Sequence, residues 1–392
     1  MSFSANAQAL RAQANLGNWR SAPNNRWAFH NVRQIVPTAP VYAASCPAPL
    51  AYCPRDFATL QCEDRHGTSR SFDQVLQSSF TDAILVMHEG RILHERYFNG
   101  MRPQDPHILM SVSKSVTAAI AGVLMERAVI DASAQLTHYI AELEGTGFAG
   151  ATLQDLLDMR TGLDFDEDYY VSSGIMIEYR EVTGWNPISA ATPAGGLHDF
   201  LLRLPANRAH GGNFQYTSPN SDLLGWVLER ATGTSLAELL SQLIWQPMGA
   251  EFEANITVDR CGASRAAGGI STTLRDLARL GLTMQQHGVA QGRNVLPAWW
   301  VHDTTTGGEH DAWAKGNFQH LLPNGNYRNQ WYQYGNDLGA YCGIGIHGQF
   351  LYVAPKASVV IAHFGSHPEP FNVQAETVLL DAFDSIARDC AR

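Results

Sequence analysis

The spacing of hydrophobic residues changes along the chain, and each spacing predicts a different kind of element. Short apolar runs at 83–88 and 91–97 flank the turn signal Glu89-Gly90, which is typical of a β-hairpin. From about 108 to 262, apolar residues recur at three- and four-residue intervals, which predicts mainly helices. The last part of the chain is rich in predicted strands and closes with a helix.

Capping and turn residues set the expected bounds of these elements. Thr152, followed by Asp155 three residues later, forms a variant of the capping box at the start of a helix. The stretch 268–273 is predicted as a turn because it opens with two glycines. The other expected elements are helices over 152–159, 220–229, 236–246, 274–284 and 373–391 and strands over 343–347, 350–353 and 359–363.

Together these elements predict an α/β chain in which an antiparallel sheet is flanked by helices. Residues 1–107 and 263–392 would form the sheet domain, with an N-terminal arm over 1–50, and residues 108–262 would form an inserted, mainly helical domain. An active site is expected at the seam between the two. An aromatic patch at 24–30 could pack on the body or form a partner surface, and packing is preferred.

Composition narrows the classes of partner and compartment. The 392 residues carry a net charge of −10 at pH 7, which disfavours nucleic acid or an anionic membrane as the main partner. The uncharged apolar stretch 115–125 is too short to span a bilayer, and the N-terminus has no signal-peptide pattern. Six scattered cysteines without metal-binding spacing indicate free thiols, so we expect a cytoplasmic protein without a metal.

The candidate chemistry centres on Ser111-Val112-Ser113-Lys114, at the start of an apolar helix. Residues three apart share a helical face, so Ser111 and Lys114 are expected about one turn apart. A serine hydroxyl is a weak nucleophile until a base takes its proton, and a lysine in an apolar wall has a lowered pKa that suits it for this role. A helix-capping serine beside a snorkelling lysine is the alternative that the motif alone leaves open.

Two further stretches hold candidate site residues. Tyr216 lies just before a predicted helix, where its phenol could exchange a proton with a serine beside a lysine, or could be a half-buried loop tyrosine. Gly343, Gly345 and Gly348 indicate the close approach of a ligand, with N–H groups free for an oxyanion hole, or else a tightly packed strand. His347 lies in the same stretch and is more typical of a hydrogen-bonded structural histidine than of a catalytic base.

Four segments occur in a characteristic order: Ser111-x-x-Lys114, Leu156-Leu157-x-x-x-Thr161-Gly162-Leu163, Tyr216-x-Ser218 and Gly268-Gly269-x-Ser271. In this order they resemble the serine-reactive β-lactamase and penicillin-binding family. Within it, the same segments resemble the branch of class C enzymes, family VIII esterases and 6-aminohexanoate-dimer hydrolases. The stretches 25–29, 110–115, 214–216 and 343–349 are similar above all to the dimer hydrolases. The resemblance covers roughly residues 80–390 and implies a β-lactamase-like fold.

The resemblance also implies a role for each matching residue. Ser111 would be the nucleophile, and Lys114 and Tyr216 would handle its proton. The backbone N–H groups of Ser111 and Ile346 would form the oxyanion hole. Tyr169 would belong to a loop that closes over the substrate.

Three more residues are expected to bind substrate. By resemblance Trp331 would line the pocket, and His347 follows Ile346 at the end of the glycine-rich strand. Arg180 lies in the region where the related dimer hydrolases use an acid for the substrate amine. The strand lysine that anchors the carboxylate of a β-lactam in the family is absent, which weakens a β-lactamase interpretation.

The sequence therefore predicts a serine hydrolase that cleaves ester or linear amide bonds of small molecules through an acyl-enzyme on Ser111, without metal or organic cofactor. A β-lactamase or D-amino-acid peptidase is the second interpretation, and a non-catalytic penicillin-binding-like sensor is the third. No nucleic acid or membrane partner is expected. A homodimer is the candidate assembly.

Overall fold

The structure is a computed structural model that describes residues 9–392. Within these residues, one eight-stranded sheet is accompanied by a four-stranded sheet and two strand pairs. The strands are β1 (Thr38–Val41), β2 (Ala51–Tyr52), β3 (Gln61–Glu63), β4 (Ser69–Ser71), β5 (Thr81–His88), β6 (Arg91–Tyr97), β7 (His107–Ile108), β8 (Ala254–Thr257), β9 (Ile270–Thr272), β10 (Val289–Ala290), β11 (Arg293–Asn294), β12 (Asn326–Arg328), β13 (Trp331–Gln333), β14 (Tyr341–Gly345), β15 (Gln349–Ala354) and β16 (Val359–Gly365).

Helices cover both faces of the large sheet. Those that begin and end within the described range are α1 (Asn25–Ala28), α2 (Phe72–Ser78), α3 (Val112–Glu126), α4 (Leu153–Leu157), α5 (Ile175–Val182), α6 (Leu197–Leu202), α7 (Ser218–Thr232), α8 (Leu236–Leu240), α9 (Leu274–Gln285), α10 (Ala298–Thr306), α11 (His310–Ala314) and α12 (Val373–Cys390). Helix α9 packs on β5, β15 and β16, and α12 packs on β16 and β3.

The large sheet has the strand order β12-β13-β14-β15-β16-β5-β6-β2, and its pairs are antiparallel except for the edge pair of β2 with β6. The predicted hairpin is confirmed as β5 and β6, and the three strands expected near the end of the chain are β14, β15 and β16. Strand β14 ends at Gly345, so Ile346 and His347 lie in the turn that follows rather than in the strand.

Side chains alternate across β5, and this alternation builds two separate cores. Ala83, Leu85 and Met87 face a cluster shared with α3, α7 and α9. Ile84 and Val86 face the opposite cluster, which includes the buried side of α12. All five are at most 1% exposed, so the sheet is buried on both faces, which explains why its central strand reads as a continuous apolar run.

Some element boundaries differ from expectation. Residues 270–272 form strand β9 rather than a turn, because they pair with β7 and β8 in the four-stranded sheet of order β1-β8-β9-β7. Within the helix expected over 236–246, the α-helical part ends at Leu240, and a π-helical turn, Ser241–Trp245, follows it. Strand β8 lies inside the predicted helical domain 108–262 and pairs with β1 and β9 outside it, so the proposed domains share a sheet.

The N-terminal arm packs against the body at the start of α3. Trp27 is 9% exposed and Phe29 is fully buried, in a cluster with Ile108, Met110 and Trp185. The aromatic patch therefore belongs to a core, as preferred from the sequence. All six cysteines are free thiols. Across residues 9–392, no helix combines the length and apolar character needed to cross a bilayer.

Candidate active site

Ser111 is the N-cap residue of α3, and Lys114 lies one turn into this helix. The Lys114 ammonium donates hydrogen bonds to Ser111 Oγ at 2.9 Å, to Ser218 Oγ at 3.0 Å and to the carbonyl oxygen of Ala267 at 2.8 Å. Lys114 is only 2% exposed, and these three acceptors match its three donors. The i, i+3 spacing of the motif therefore brings the hydroxyl and the amine into direct contact.

The surroundings of Lys114 make it a workable base. Burial lowers the pKa of Lys114 from 10.5 to about 8, and the positive charge of Arg265 acts in the same direction. The carboxylates of Glu167 and Asp222 act against this decrease. With a pKa of 8, about a tenth of such amines would be neutral at pH 7. A lysine of this kind can accept the Ser111 proton without an extreme change in its protonation state.

Tyr216 lies just before α7 and brings its ring to the same ammonium. The Lys114 Nζ atom is 4.8 Å from the centroid of the Tyr216 ring, which is 3% exposed. Burial raises the pKa of the Tyr216 phenol well above 10, and the negative charge of Glu167 adds to the increase, whereas a hydrogen bond with the Ser111 hydroxyl opposes it. The phenol is therefore neutral near pH 7 and holds a proton that it can donate.

Glu167 is the centre of a hydrogen-bond cluster beside these three residues. Its carboxylate accepts bonds from the backbone N–H of Ser218 at 2.5 Å, from Ser218 Oγ at 2.6 Å and from the Tyr169 hydroxyl at 2.7 Å. Arg180 in turn donates from Nη2 to the carbonyl oxygen of Tyr169 at 3.0 Å. The loop that carries Tyr169 is therefore docked over the site through its side chain and its backbone.

A buried ion pair fixes the carbonyl group that Lys114 binds. The Asp222 carboxylate accepts hydrogen bonds from the Arg265 guanidinium, from the Tyr179 hydroxyl at 2.5 Å and from the Ala267 N–H at 2.8 Å. The same Ala267 residue offers its carbonyl oxygen to Lys114. Asp222 thus positions the third acceptor of the Lys114 ammonium without touching the lysine.

The glycines of β14 allow this strand to approach the start of α3. A Cβ atom on Gly345 would lie 2.6 Å from the Leu109 carbonyl oxygen and 3.0 Å from the Ser111 nitrogen, and one on Gly343 would also meet α3. These two glycines therefore serve packing against a helix. Among residues 9–392, neither the Ser111 N–H nor the Ile346 N–H has a hydrogen-bond acceptor. Two free donors near Ser111 are what an oxyanion hole requires.

Two adjoining cavities lead to Ser111. The inner cavity encloses about 380 Å³ of empty space, partly open to solvent, and is bounded by Ser111, Glu167, Ser218, Arg265 and Ile346 among others. The outer cavity, which is also partly open to solvent, has about 900 Å³ of empty space and lies between the N-terminal arm, Tyr170 and His347. Both are lined by the same four residues, which we call the neck: Arg20, Tyr169, Arg180 and Ile346.

Two of the predicted site residues lie away from the reacting atoms. His347 is 3% exposed and shares a hydrogen bond of 2.7 Å between its Nδ1 atom and the His367 carbonyl oxygen, and burial lowers its pKa to about 3. It stays neutral at the edge of the outer cavity, which favours the structural alternative. Trp331 is 1% exposed, packs edge-on against Tyr341 and lines neither cavity. Its position supports packing rather than the pocket lining implied by resemblance.

Sequence reasoning missed several residues that surround the Ser111 site. Glu167 was not singled out from the sequence, and Ser218 entered only as part of the Tyr216-x-Ser218 segment. Asp222, Arg265 and Arg20 carried no recognisable spacing. The signal that could have found Glu167 is its position two residues before Tyr169, in a loop already expected to close over the substrate.

Comparison with known proteins identifies the family and the fold of the chain. A family model described as Beta-lactamase matches residues 70–382. The chain is 37% identical over 365 residues to a 6-aminohexanoate-dimer hydrolase of Paenarthrobacter ureafaciens, covering 92% of this chain and 90% of that protein. A solved structure named "Putative 6-aminohexanoate-dimer hydrolase from Bacillus anthracis" has a TM-score of 0.89 and 28% identity over 97% of both chains. A family VIII carboxylesterase shares the fold, with a TM-score of 0.57 and 14% identity over 80% of this chain and 97% of its own.

The fold and the Ser111 site together define a β-lactamase-like hydrolase. Since the family model spans most of the sequence, the chain belongs to the beta-lactamase family, and it is a hydrolase. The fold class and the likeness to 6-aminohexanoate-dimer hydrolases predicted from the sequence are confirmed.

Proposed function

We propose that this hydrolase cleaves ester or linear amide bonds of small molecules through an acyl-enzyme on Ser111. One observation carries the proposal: the Lys114 amine, with a pKa lowered to about 8, lies 2.9 Å from Ser111 Oγ at the wall of a cavity. Such a pair activates a serine without an additional base. The names of the relatives, a 6-aminohexanoate-dimer hydrolase and a carboxylesterase, support linear amides and esters as the substrate class.

The proposed reaction follows from the positions of three side chains. Neutral Lys114 takes the Ser111 proton as Oγ attacks the substrate carbonyl, and the N–H groups of Ser111 and Ile346 stabilise the resulting oxyanion. The Tyr216 phenol gives its proton to the leaving alcohol or amine and regains one from Lys114. Water then attacks the acyl-enzyme, and the same pair accepts its proton and returns one to Ser111.

The proposal also assigns substrate contacts, a location and an assembly. Tyr169, Arg180 and the Ile346 backbone would contact the substrate, because they line the neck between the two cavities. We also propose a cytoplasmic location, supported by six free cysteines. The division into domains 1–107 with 263–392 and 108–262 is kept as a proposal, and a homodimer stays a prediction.

A fluorophosphonate probe, which phosphonylates activated serines, tests the nucleophile directly. We expect a single adduct by intact mass and peptide mapping to Ser111, and its loss in Ser111→Ala. Ser115→Ala is the matched control, because Ser115 lies one turn further along α3 and its hydroxyl binds the Gln330 carbonyl oxygen instead. Absence of any adduct on Ser111 in active protein would overturn the proposal.

Turnover of three substrates by one preparation then tests the substrate class. We expect kcat/KM to be highest for p-nitrophenyl butyrate, lower for a linear amide of 6-aminohexanoate and lowest for nitrocefin. The amide is slower because its leaving nitrogen must be protonated in the transition state. Nitrocefin turnover within tenfold of the ester would favour a β-lactamase instead.

A further inference from the structure

Three arginines converge on the cavities that lead to Ser111. Arg20 comes from the N-terminal arm, Arg180 from α5 and Arg265 from the segment before β9, and all three line the inner cavity. Arg20 and Arg265 also lie over the Trp185 ring, with Cζ atoms at 5.7 and 5.1 Å from its centroid. Three positively charged guanidinium groups at one cavity repel one another, which destabilises the protein unless negative charge is nearby.

Among residues 9–392, Arg265 is the only one of these three arginines that forms an ion pair. Arg265 forms a buried ion pair with Asp222. Arg20 and Arg180 form no ion pair among residues 9–392, and residues 1–8 contain no Asp or Glu that could supply one. Removing a guanidinium from water without a counter-charge is costly, so two such groups side by side are typical of a site for an anion.

Arg20 and Arg180 are held in place and still have donors to spare. Arg20 donates from Nη2 to Asn186 Oδ1 at 2.5 Å, and Arg180 donates from Nη2 to the Tyr169 carbonyl oxygen at 3.0 Å. The Nε atom of each is buried and has no acceptor among the described residues. A guanidinium has five N–H donors, so the bond at Nη2 leaves others available for the oxygens of a carboxylate.

The acids that act on Arg180, Glu167 and Asp168, oppose the decrease in its pKa caused by burial, but neither forms an ion pair with it. Glu167, in the inner cavity, already accepts three hydrogen bonds, from Ser218 and Tyr169. Asp168 is exposed and accepts a bond from the Tyr170 N–H. Burial together with the charges of Arg180 and Arg265 lowers the pKa of Arg20 to about 9. An anion bound at this place would relieve that repulsion.

We propose that Arg20 and Arg180 bind a carboxylate at one end of the substrate while its reactive carbonyl lies at Ser111. The inference rests on the proposed function and narrows its substrate class to small esters or amides that carry a terminal carboxylate. The neck is the natural place for this contact, because both arginines line the inner and the outer cavity. A linear substrate would then extend from Ser111 through the neck towards the outer cavity.

A pair of esters that differ only in charge tests the inference. The p-nitrophenyl monoester of adipic acid carries a terminal carboxylate, and p-nitrophenyl methyl adipate is its neutral twin with the same leaving group. We expect wild-type kcat/KM to favour the anionic ester roughly tenfold or more, as expected for charge-assisted hydrogen bonds in a partly buried site, and the preference to shrink as salt is raised.

Arg20→Gln should lower kcat/KM for the anionic ester roughly tenfold, mainly through KM, and leave the neutral twin within about twofold. Arg180→Gln also releases the Tyr169 loop, so it should lower kcat/KM for both esters, and by the larger factor for the anionic ester. Arg203→Gln is the matched control, because Arg203 pairs with Glu178 on α5 and lines neither cavity. It should change neither substrate. Free adipate should inhibit hydrolysis of the neutral twin competitively, and less so in the two variants.

Each outcome decides between the two proposals. Ser111-dependent hydrolysis of both esters without preference for the anion overturns the carboxylate site but leaves the hydrolase mechanism intact. Equal losses on both esters in Arg20→Gln and Arg180→Gln assign the arginines a structural role and also overturn it. No Ser111-dependent hydrolysis of either ester contradicts the proposed function itself.

Discussion

Glu167 accepts hydrogen bonds from both the backbone N–H and the hydroxyl of Ser218. Because the Ser218 hydroxyl donates its hydrogen bond to Glu167, its oxygen is free to accept a hydrogen bond from the Lys114 ammonium at 3.0 Å. A series of hydrogen bonds thus runs from the carboxylate through the hydroxyl and the amine to Ser111. Burial lowers the pKa of Lys114 to about 8, and the negative charge of Glu167 limits this decrease.

Glu167→Gln removes that charge while keeping the size of the side chain. The pKa of Lys114 should then fall below its value of about 8, since one of the influences that raise it is gone. We expect the rising limb of the kcat/KM profile to lie near pH 8 in the wild type and to move to lower pH in the variant. Asp166→Asn, an exposed acid of the same loop, is the control and should leave the limb in place. An unmoved limb in Glu167→Gln would mean that Lys114 is not the titrating base.

Tyr216→Phe keeps the ring beside Lys114 and removes only the proton donor. We expect kcat for a linear amide to fall roughly 100-fold with little change in KM, because the leaving nitrogen must be protonated in the transition state. The loss should be smaller for a p-nitrophenyl ester, whose leaving group departs as an anion. Steady-state kinetics on the two substrates measure this difference. A change confined to KM would assign Tyr216 to substrate binding alone.

Gly345→Ala tests the close approach of β14 to the start of α3. The added methyl group would lie 2.6 Å from the Leu109 carbonyl oxygen and 3.0 Å from the Ser111 nitrogen, so strand and helix must separate. We expect a loss of about 1–3 kcal/mol in the free energy of unfolding and a fall in kcat of at least roughly tenfold, since the oxyanion donors move apart. Urea unfolding and ester kinetics measure the two effects.

Gly212→Ala serves as the control for that substitution. A Cβ atom at Gly212 would have its nearest neighbour at 3.6 Å, which is ordinary contact. Its stability and activity should match the wild type. Full activity in Gly345→Ala would show that Ile346 does not contribute to the oxyanion hole.

The parts of this site that the sequence predicted are those encoded over short distances or in a known motif. Ser111 and Lys114 meet because three residues make about one helical turn, and Tyr216 was found through the Tyr-x-Ser motif. By contrast, Glu167 meets Ser218 across 51 residues and Arg20 meets Asn186 across 166, through loops and an arm without periodic pattern. Such contacts depend on how segments distant in the sequence pack together, which spacing within the sequence does not encode.

The same limit applies to the glycines of β14. Their alternation indicated a close approach, but a strand pattern does not tell whether the partner is a ligand or a helix. In the structure the partner is α3, so these glycines would affect catalysis only through the position of the start of this helix. Resemblance has a similar limit. It assigned Trp331 to the pocket wall, but this residue lies buried in the core beside Tyr341.

Glu376 is a buried carboxyl group in the first turn of α12. It is 4% exposed, and its Oε2 atom has no hydrogen-bond partner among residues 9–392. Burial raises the pKa of Glu376 well above 4.5. The folded protein therefore keeps this proton at pH values where the unfolded chain has already lost it.

Glu376→Gln should make the protein more stable than the wild type as the pH increases. Below pH 4.5 the carboxyl group is protonated in both states, so it adds no pH dependence there. Above pH 4.5 the unfolded wild type releases the proton and the folded one does not, so wild-type stability declines until the raised pKa is reached. Glutamine does not titrate and avoids this loss. Urea unfolding at pH 5, 6, 7 and 8 should show a difference in unfolding free energy that grows in favour of the variant. A difference that stays constant over this range would mean that Glu376 ionises normally in the folded protein.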